Sequence, residues 1–164
     1  MSSEYLRPLA QLPVPPNLLG VLTDIDDTLT TQGQVPPPVV QALGRLRAAG
    51  LKVVPITGRS MGWSEPHALD WPVDAIVAEN GAAALRRNAR GELERLYQIA
   101  DHQVRAANYA RMQQVLAQIE AQVPGARRSA DSHGRECDIA VDHSEHTRMA
   151  PEHMEACMAL MRAA

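Results

Sequence analysis

The chain has 164 residues, 45% of them apolar and 21% charged, with a net charge of −3. That length is enough for one domain with a real core, or a core fragment plus a smaller appendage, and the composition is that of a globular chain. A mildly acidic chain with two Trp, three Tyr and no Phe offers neither the basic surface nor the stacking aromatics that nucleic acid or an anionic membrane would need.

The expected elements follow in chain order. Residues 1–17, running through Pro13-Val14-Pro15-Pro16, read as an extended lead-in with no signal-peptide pattern. Leu18 to Thr23 is a short apolar run that suits a buried strand and stops at the acids Asp24, Asp26 and Asp27. Pro36-Pro37-Pro38 opens a helix whose apolar positions Val39, Val40, Leu43, Leu46 and Ala49 fall at helical spacing, with Gly50 as its terminator. Lys52 to Ile56 is a second buried strand ending in Thr57-Gly58-Arg59, and Asp74 to Ala78 a third, ending in Glu79-Asn80-Gly81. Trp63 and Trp71 fall in the connection between them and are expected to pack beneath it.

Beyond Gly81 the pattern changes. Ala82–Arg87 and Leu93–Ile99 read as a hairpin. His102 to Val123 reads as an amphipathic helix with Val104, Met112, Val115, Leu116, Ile119 and Val123 on one face. Glu136 to Val141 is expected as a strand, and Pro151 to Met161 as a helix with proline in its first turn. No apolar run approaches the roughly 20 residues that span a bilayer. Two cysteines, Cys137 and Cys157, make no disulfide framework, so a reducing cytoplasm is the expected compartment.

Strand, helix, strand, connection, strand is the rhythm of a parallel α/β sheet with right-handed crossovers, in which ligands bind at the C-terminal strand ends. All three strand ends here are polar or glycine-bearing. Asp24 and Asp26 stand two residues apart at the first exit, where side-chain direction repeats every second residue. Two carboxylates in one mouth hold a divalent cation and leave one for chemistry; without the metal they would repel a phosphate. One acid then attacks phosphorus while its neighbour protonates the leaving oxygen. The Thr57 hydroxyl can donate to a phosphoryl oxygen, and Gly58 and Gly81 allow close backbone approach. His143, His146, His153 and Cys157 form a looser group whose spacing fits no tight zinc pattern. Arg127, Arg128 and Arg135 suit either a substrate-facing surface or a solvated basic face.

Asp24-Ile25-Asp26-Asp27-Thr28-Leu29-Thr30 resembles the first motif of the haloacid dehalogenase-like superfamily, and Ile56-Thr57-Gly58-Arg59 its second. Ala78-Glu79-Asn80-Gly81-Ala82 resembles the segment entering the cap in members with a type IIB cap, which include sugar-phosphate phosphatases and phosphomannomutases. Arg135 to Asp142 is similar to a cap strand of that subgroup. The resemblance implies a Rossmann-like core with a partial parallel sheet over residues 18–81, and an inserted α+β cap module over 82–164. It implies Asp24 as nucleophile and Mg2+ ligand, and Asp26 as general acid/base with its backbone carbonyl on the metal. Thr57 would hold the phosphoryl group with Gly58, residues 28–35 would form a shielding turn, and Arg59 and Asn80 would touch substrate.

The family's later lysine and GDxxxD-like acidic motif have no counterpart: the lone lysine, Lys52, lies on the second strand. The chain is therefore expected to be a C-terminally truncated form, with an exposed sheet edge that invites self-association. Three functions stay open. The first is a magnesium-dependent phosphohydrolase of a small phosphorylated metabolite, such as a sugar phosphate. The others are a phosphomutase, and a truncated or degenerate homologue that binds a phospho-ligand or a protein without turnover.

Overall fold

In the computed structural model, which describes Gln11 and residues 17–164, the chain forms a mixed five-stranded sheet with helices and a smaller second layer. The lead-in expected over residues 1–17 lies, apart from Gln11 and Asn17, outside the described residues. The elements are β1 (Gly20–Asp24), α1 (Pro37–Ala48), β2 (Lys52–Ile56), α2 (Met61–Asp70), β3 (Ile76–Ala78), β4 (Ala83–Arg87) and β5 (Leu93–Tyr97). They are followed by α3 (His102–Gln122), β6 (Arg127–Arg128), β7 (Val141–Asp142) and α4 (Pro151–Ala163).

The sheet order is β1-β2-β3-β4-β5. The first three strands are parallel, with Asp24 opposite Ile56 and Ile56 opposite Val77, so their C-terminal ends share one edge. The hairpin β4–β5 then joins β3 antiparallel, continuing the same sheet. Asn88 and Gly91 close that hairpin, Gly91 at the positive φ its turn requires. At the other side β1 pairs, among the described residues, with β2 alone, and Leu19 and Leu22 are 82% and 70% exposed. An unpaired apolar strand edge of this kind is a template for further pairing.

Helix α1 forms where the triple proline fixes the first turn, and Arg45 and Arg47 place positive charge against the last. Gly50, at φ 85°, lets Leu51 N–H reach back to the Leu46 carbonyl and ends the helix. The segment expected as a plain connection is instead helix α2. The Ser60 hydroxyl caps it by accepting from Trp63 N–H, and Met61, Ser64 and Ala68 are buried on its inner face. Pro66 masks the pattern: it lies inside the helix, where it removes one backbone donor. Trp71 is buried and Trp63 packs against the core, as the sequence leads one to expect.

His67 lies between the two indoles, 4.4 Å from each ring centroid and stacked on Trp71. Burial lowers its pKa from the usual 6.5, with the Asp70 charge opposing the shift. A depressed histidine pKa means that the unfolded chain takes up the proton first, so stability rises with pH across the window. The contribution is complete above 6.5 and is lost as pH falls from there through the folded-state value. The thermal midpoint should therefore fall between pH 7 and pH 5 by less in a His67→Phe variant than in the parent. Parallel pH profiles would remove His67 as the cause.

Two clusters of buried side chains hold the fold. The first joins Ile25, Leu43, Val53, Met61, Ile76 and Leu85 across the sheet, α1 and α2. The second joins Val115, Ile119 and Val123 of α3 and its C-terminal boundary to Cys157 of α4, with Ile139 and Val141 packed against it. Asp101 caps α3, accepting from Gln103 and Val104 N–H. Val104, expected on the packed face, is 45% exposed because only the C-terminal half of α3 is covered. The strand expected over 136–141 is also revised. Only Val141–Asp142 pairs, with Arg127–Arg128, because the N–H groups of Glu136, Cys137 and Asp138 are taken by the Glu79 carboxylate.

Candidate active site

The site lies on the shared edge where β1, β2 and β3 end. Beyond β1 the chain winds around the carbonyl of fully buried Ile25, which accepts from the N–H groups of Thr28, Leu29 and Thr30. Asp27 takes a positive φ of 55° to complete the turn. Asp24 is left exposed, one oxygen accepting from the Thr28 hydroxyl at 3.0 Å. Residues 28–35 then form a small turn, Thr31 and Gln34 exchanging backbone hydrogen bonds across Gln32 and Gly33, both at positive φ.

Asp26 turns toward the end of β2. Its Oδ2 accepts from the Thr57 hydroxyl at 3.3 Å, and its Oδ1 accepts from Arg59 Nε and Nη2 at 3.1 and 3.0 Å. Thr57 is buried, and its oxygen also accepts from Arg59 N–H at 3.0 Å, which fixes the hydroxyl hydrogen on Asp26. The hydrogen bond to Asp26 is the main cause holding the Arg59 guanidinium still more firmly protonated than usual, against the burial that opposes it. Arg59 also reaches outward, donating through Nη1 to Glu145 at 3.0 Å.

Of the residues singled out in the sequence, Asp26, Thr57, Gly58 and Arg59 thus converge, and Asp24 stands at the rim beside them. Asn80 is placed differently: its amide donates to Asp138 at 2.9 Å, and a Cβ at Gly58 would meet its Oδ1 at 3.0 Å. It braces the β2 exit against the second layer. The group His143, His146, His153 and Cys157 does not gather; among the described residues no three His, Cys, Asp or Glu side chains cluster as a metal site. Cys157 belongs to the second core, and the Cys137 thiol is pushed up to about 11 by burial and by the Glu79 and Glu136 carboxylates. Neither is poised as a thiolate.

Several residues position this edge in roles that the sequence reading did not assign to them. Glu79, 1% exposed, accepts from the N–H groups of Met61, Glu136, Cys137 and Asp138 at 2.6 to 3.1 Å. Arg135, with its side chain 5% exposed, pairs with Asp131 and Asp138 and donates to the Gly58 carbonyl at 3.0 Å. Burial alone would raise the Asp131 carboxyl; the Ser129 hydroxyl, the Ser60 N–H and the Arg135 charge hold it low instead. Gly62 at the start of α2 and Gly134 meet backbone to backbone, a Cβ on Gly62 falling 2.9 Å from the Gly134 Cα. Asp142, buried at the end of β7, accepts from Ser144, Glu145 and His146 N–H and so sets the loop that carries Glu145 to Arg59. The available signal was an acid or arginine directly flanking an apolar run.

Between these elements lies a cleft of about 560 Å³, lined by Asp26, Thr30, Arg59, Arg135, Asp142 and Glu145 among others. The family model for haloacid dehalogenase-like hydrolases matches residues 21–142, which contain every residue described above at the strand exits. The chain belongs to the haloacid dehalogenase-like hydrolase family. Solved structures agree on the fold. A Thermoplasma acidophilum protein aligns with a TM-score of 0.64 at 13% identity, over 88% of this chain and 58% of its own. The C-terminal domain of trehalose-6-phosphate phosphatase from C. albicans aligns at 0.56 and 19% identity, over 87% and 49%. An IMP-nucleotidase from Plasmodium falciparum aligns at 0.52 and 12% identity, over 88% and 47%. The chain thus spans about half the length of these structures. No curated protein matches the sequence. Among the described residues, no helix is long and apolar enough to cross a membrane.

The donor set at β1 suits a hard cation. Asp24 offers an exposed carboxylate with a single hydroxyl partner, whereas the Asp26 side chain is already engaged. Magnesium keeps several waters and is held through one or two carboxylates together with phosphate oxygens, so the lack of a three-residue metal cluster among the described residues is no obstacle.

Proposed function

We propose that the chain carries the phosphoryl-accepting half of a magnesium-dependent phosphohydrolase acting on a small phosphorylated metabolite. In this reading residues 18–81 supply the catalytic edge, and residues 82–164 combine a core-extending hairpin with an α+β cap module of the type IIB kind. The observation that carries it is the exposed Asp24 carboxylate at the exit of β1, beside the Asp26–Thr57–Arg59 network on the same sheet edge. A bound Mg2+ would screen the acids from the phosphate and withdraw charge from it. Asp24 and the Asp26 backbone carbonyl would hold that ion.

The residues of the chain then divide the work. Asp24 Oδ1 attacks phosphorus and the ester bond to the alcohol breaks, leaving the phosphoryl group on Asp24 until water removes it. With Oδ1 held by Arg59, Asp26 gives a proton from Oδ2 to the leaving alcohol oxygen as the Thr57 hydroxyl swings away, and takes a proton back from the water that frees the phosphate. Thr57 orients Asp26 and, when its hydroxyl swings, reaches a phosphoryl oxygen. Arg59 keeps the Asp26 carboxylate in place, and residues 28–35 shield the reacting atoms. Both cysteines are free thiols, which suits a cytoplasmic setting.

A second reading has its own observation. Lys52 pairs with Asp74 at the opposite end of β2, and both arginines lining the cleft are already ion-paired. A site whose described lysine and arginines are all paired favours phospho-ligand or protein binding without turnover, completed by a partner at the outer edge of β1 or by self-association there. A phosphomutase would share the same acids and differ in depending on a bisphosphate.

Phosphate release from p-nitrophenyl phosphate, measured with and without magnesium, decides between them. Magnesium-dependent release supports the phosphohydrolase. A folded sample that releases none rules out turnover by this chain and leaves the binding reading.

A further inference from the structure

The cleft beside Asp24 carries an uneven charge. Five carboxylates line it, those of Asp26, Asp27, Asp131, Asp142 and Glu145, against the guanidiniums of Arg59 and Arg135. Both guanidiniums are satisfied within the protein: Arg59 by Asp26 and Glu145, Arg135 by Asp131, Asp138 and the Gly58 carbonyl. A metal ion held at Asp24 would screen the reacting phosphate, and the acids of the cleft would act on the rest of the substrate. An anionic group on the far part of a substrate therefore meets acids there, with no uncommitted arginine or lysine among the described lining residues and His143 as the one further basic side chain among them. Glu145 lines the cleft from the loop after β7, with its side chain about half exposed. Its backbone is fixed by the buried Asp142 carboxylate, which accepts from Glu145 N–H at 2.8 Å, and one of its oxygens is tied to Arg59. Among the described residues no hydrogen bond reaches its other oxygen, which leaves an acceptor for a substrate hydroxyl.

We propose that Glu145 is a specificity-determining residue, whose carboxylate admits phosphate esters with a neutral, hydroxyl-bearing alcohol part and excludes those bearing a second negative charge. The proposal rests on the phosphohydrolase reading and adds the selection of the alcohol. Repulsion across a partly exposed mouth, one or two side-chain lengths away, changes binding by about tenfold per unit charge at low salt and by less at high salt.

Glycerol 3-phosphate and 3-phosphoglycerate form a suitable pair of probes, since they are alike in size and differ in a hydroxymethyl group against a carboxylate. Their binding to the full chain in the presence of magnesium is measured by calorimetry, for the parent and for Glu145→Gln. Glu145 is about half exposed, so the substitution is compatible with folding, and a thermal melt checks this. The parent should prefer glycerol 3-phosphate by about tenfold or more. Glu145→Gln should narrow that ratio by about tenfold, and added salt should narrow it in the parent. A loop that merely loses its anchor would weaken both esters alike and leave the ratio unchanged, which would overturn the proposal. Equal binding of both esters by the parent would overturn it as well, leaving the phosphohydrolase reading intact. Binding of neither ester would sink that reading together with the proposal.

Discussion

An Asp24→Asn variant is expected to lose magnesium-dependent phosphate release by at least about a thousandfold, because an amide neither attacks phosphorus nor supplies a charged metal ligand. Asp24 is exposed and bound only by the Thr28 hydroxyl, so nothing in the packing depends on its charge. The stability change should stay within about 0.5 kcal/mol, as for other exposed positions. That contrast makes the result interpretable: activity disappears while the unfolding midpoint stays. If release continued at a tenth of the parental rate or more, another group would have to be the nucleophile, and the central role given to the β1 exit would fall. A matching melt with lower activity at all magnesium concentrations, by contrast, places the loss in the chemistry.

The largest effect on folding is expected at Glu79. Its carboxylate receives four backbone N–H groups from two separate segments, and the side chain is 1% exposed. Glu79→Gln keeps the size but turns an amide NH2 toward donors, so two or more N–H groups lose their acceptor inside the protein. Each such loss costs about 1–3 kcal/mol, and the loop relaxes enough to recover part of it. A net destabilisation of about 3 kcal/mol is expected, read from urea or thermal unfolding. Glutamine rather than alanine is the informative replacement, because the residue sits at φ 49° and a change of backbone preference would confuse the reading. An unchanged midpoint would mean that residues 136–138 are held by something other than this carboxylate.

Much of the first half was legible because each strand carries its own terminator. The apolar runs ending at Asp24, Thr57 and Glu79 announce strands whose polar ends face one edge, and the structure has β1, β2 and β3 there; β1, expected to be buried, is instead partly exposed, because it lies at the sheet edge. Local rules also sufficed for α1, with proline at its start and Gly50 at its end, and for the β4–β5 turn. What periodicity does not encode is where a lone charged side chain goes once the chain has folded. Glu136 to Val141 has the composition of a strand, but its N–H groups are claimed by a carboxylate 57 residues earlier in the chain. Helix α2 was hidden by Pro66 and by a weakly amphipathic pattern, and it is held by a Ser60 cap and by indole and imidazole stacking instead. At the site, Asp26, Thr57 and Arg59 were legible as types at strand ends. Their mutual bonding, and the participation of Arg135, Asp142 and Glu145, depends on a loop docking that no spacing rule describes.

The contact between Gly62 and Gly134 fixes what can vary along this seam. Each lacks room for even one carbon beyond its backbone, since a Cβ on either lands within 3.0 Å of the other's Cα. Most tight contacts tolerate exchange, a larger group on one side being matched by a smaller one opposite. Here neither partner has an atom to give up, so no second-site change of side chain rescues the first. The two positions behave as a single locus of the sequence, open to glycine twice or to a shift of the whole backbone.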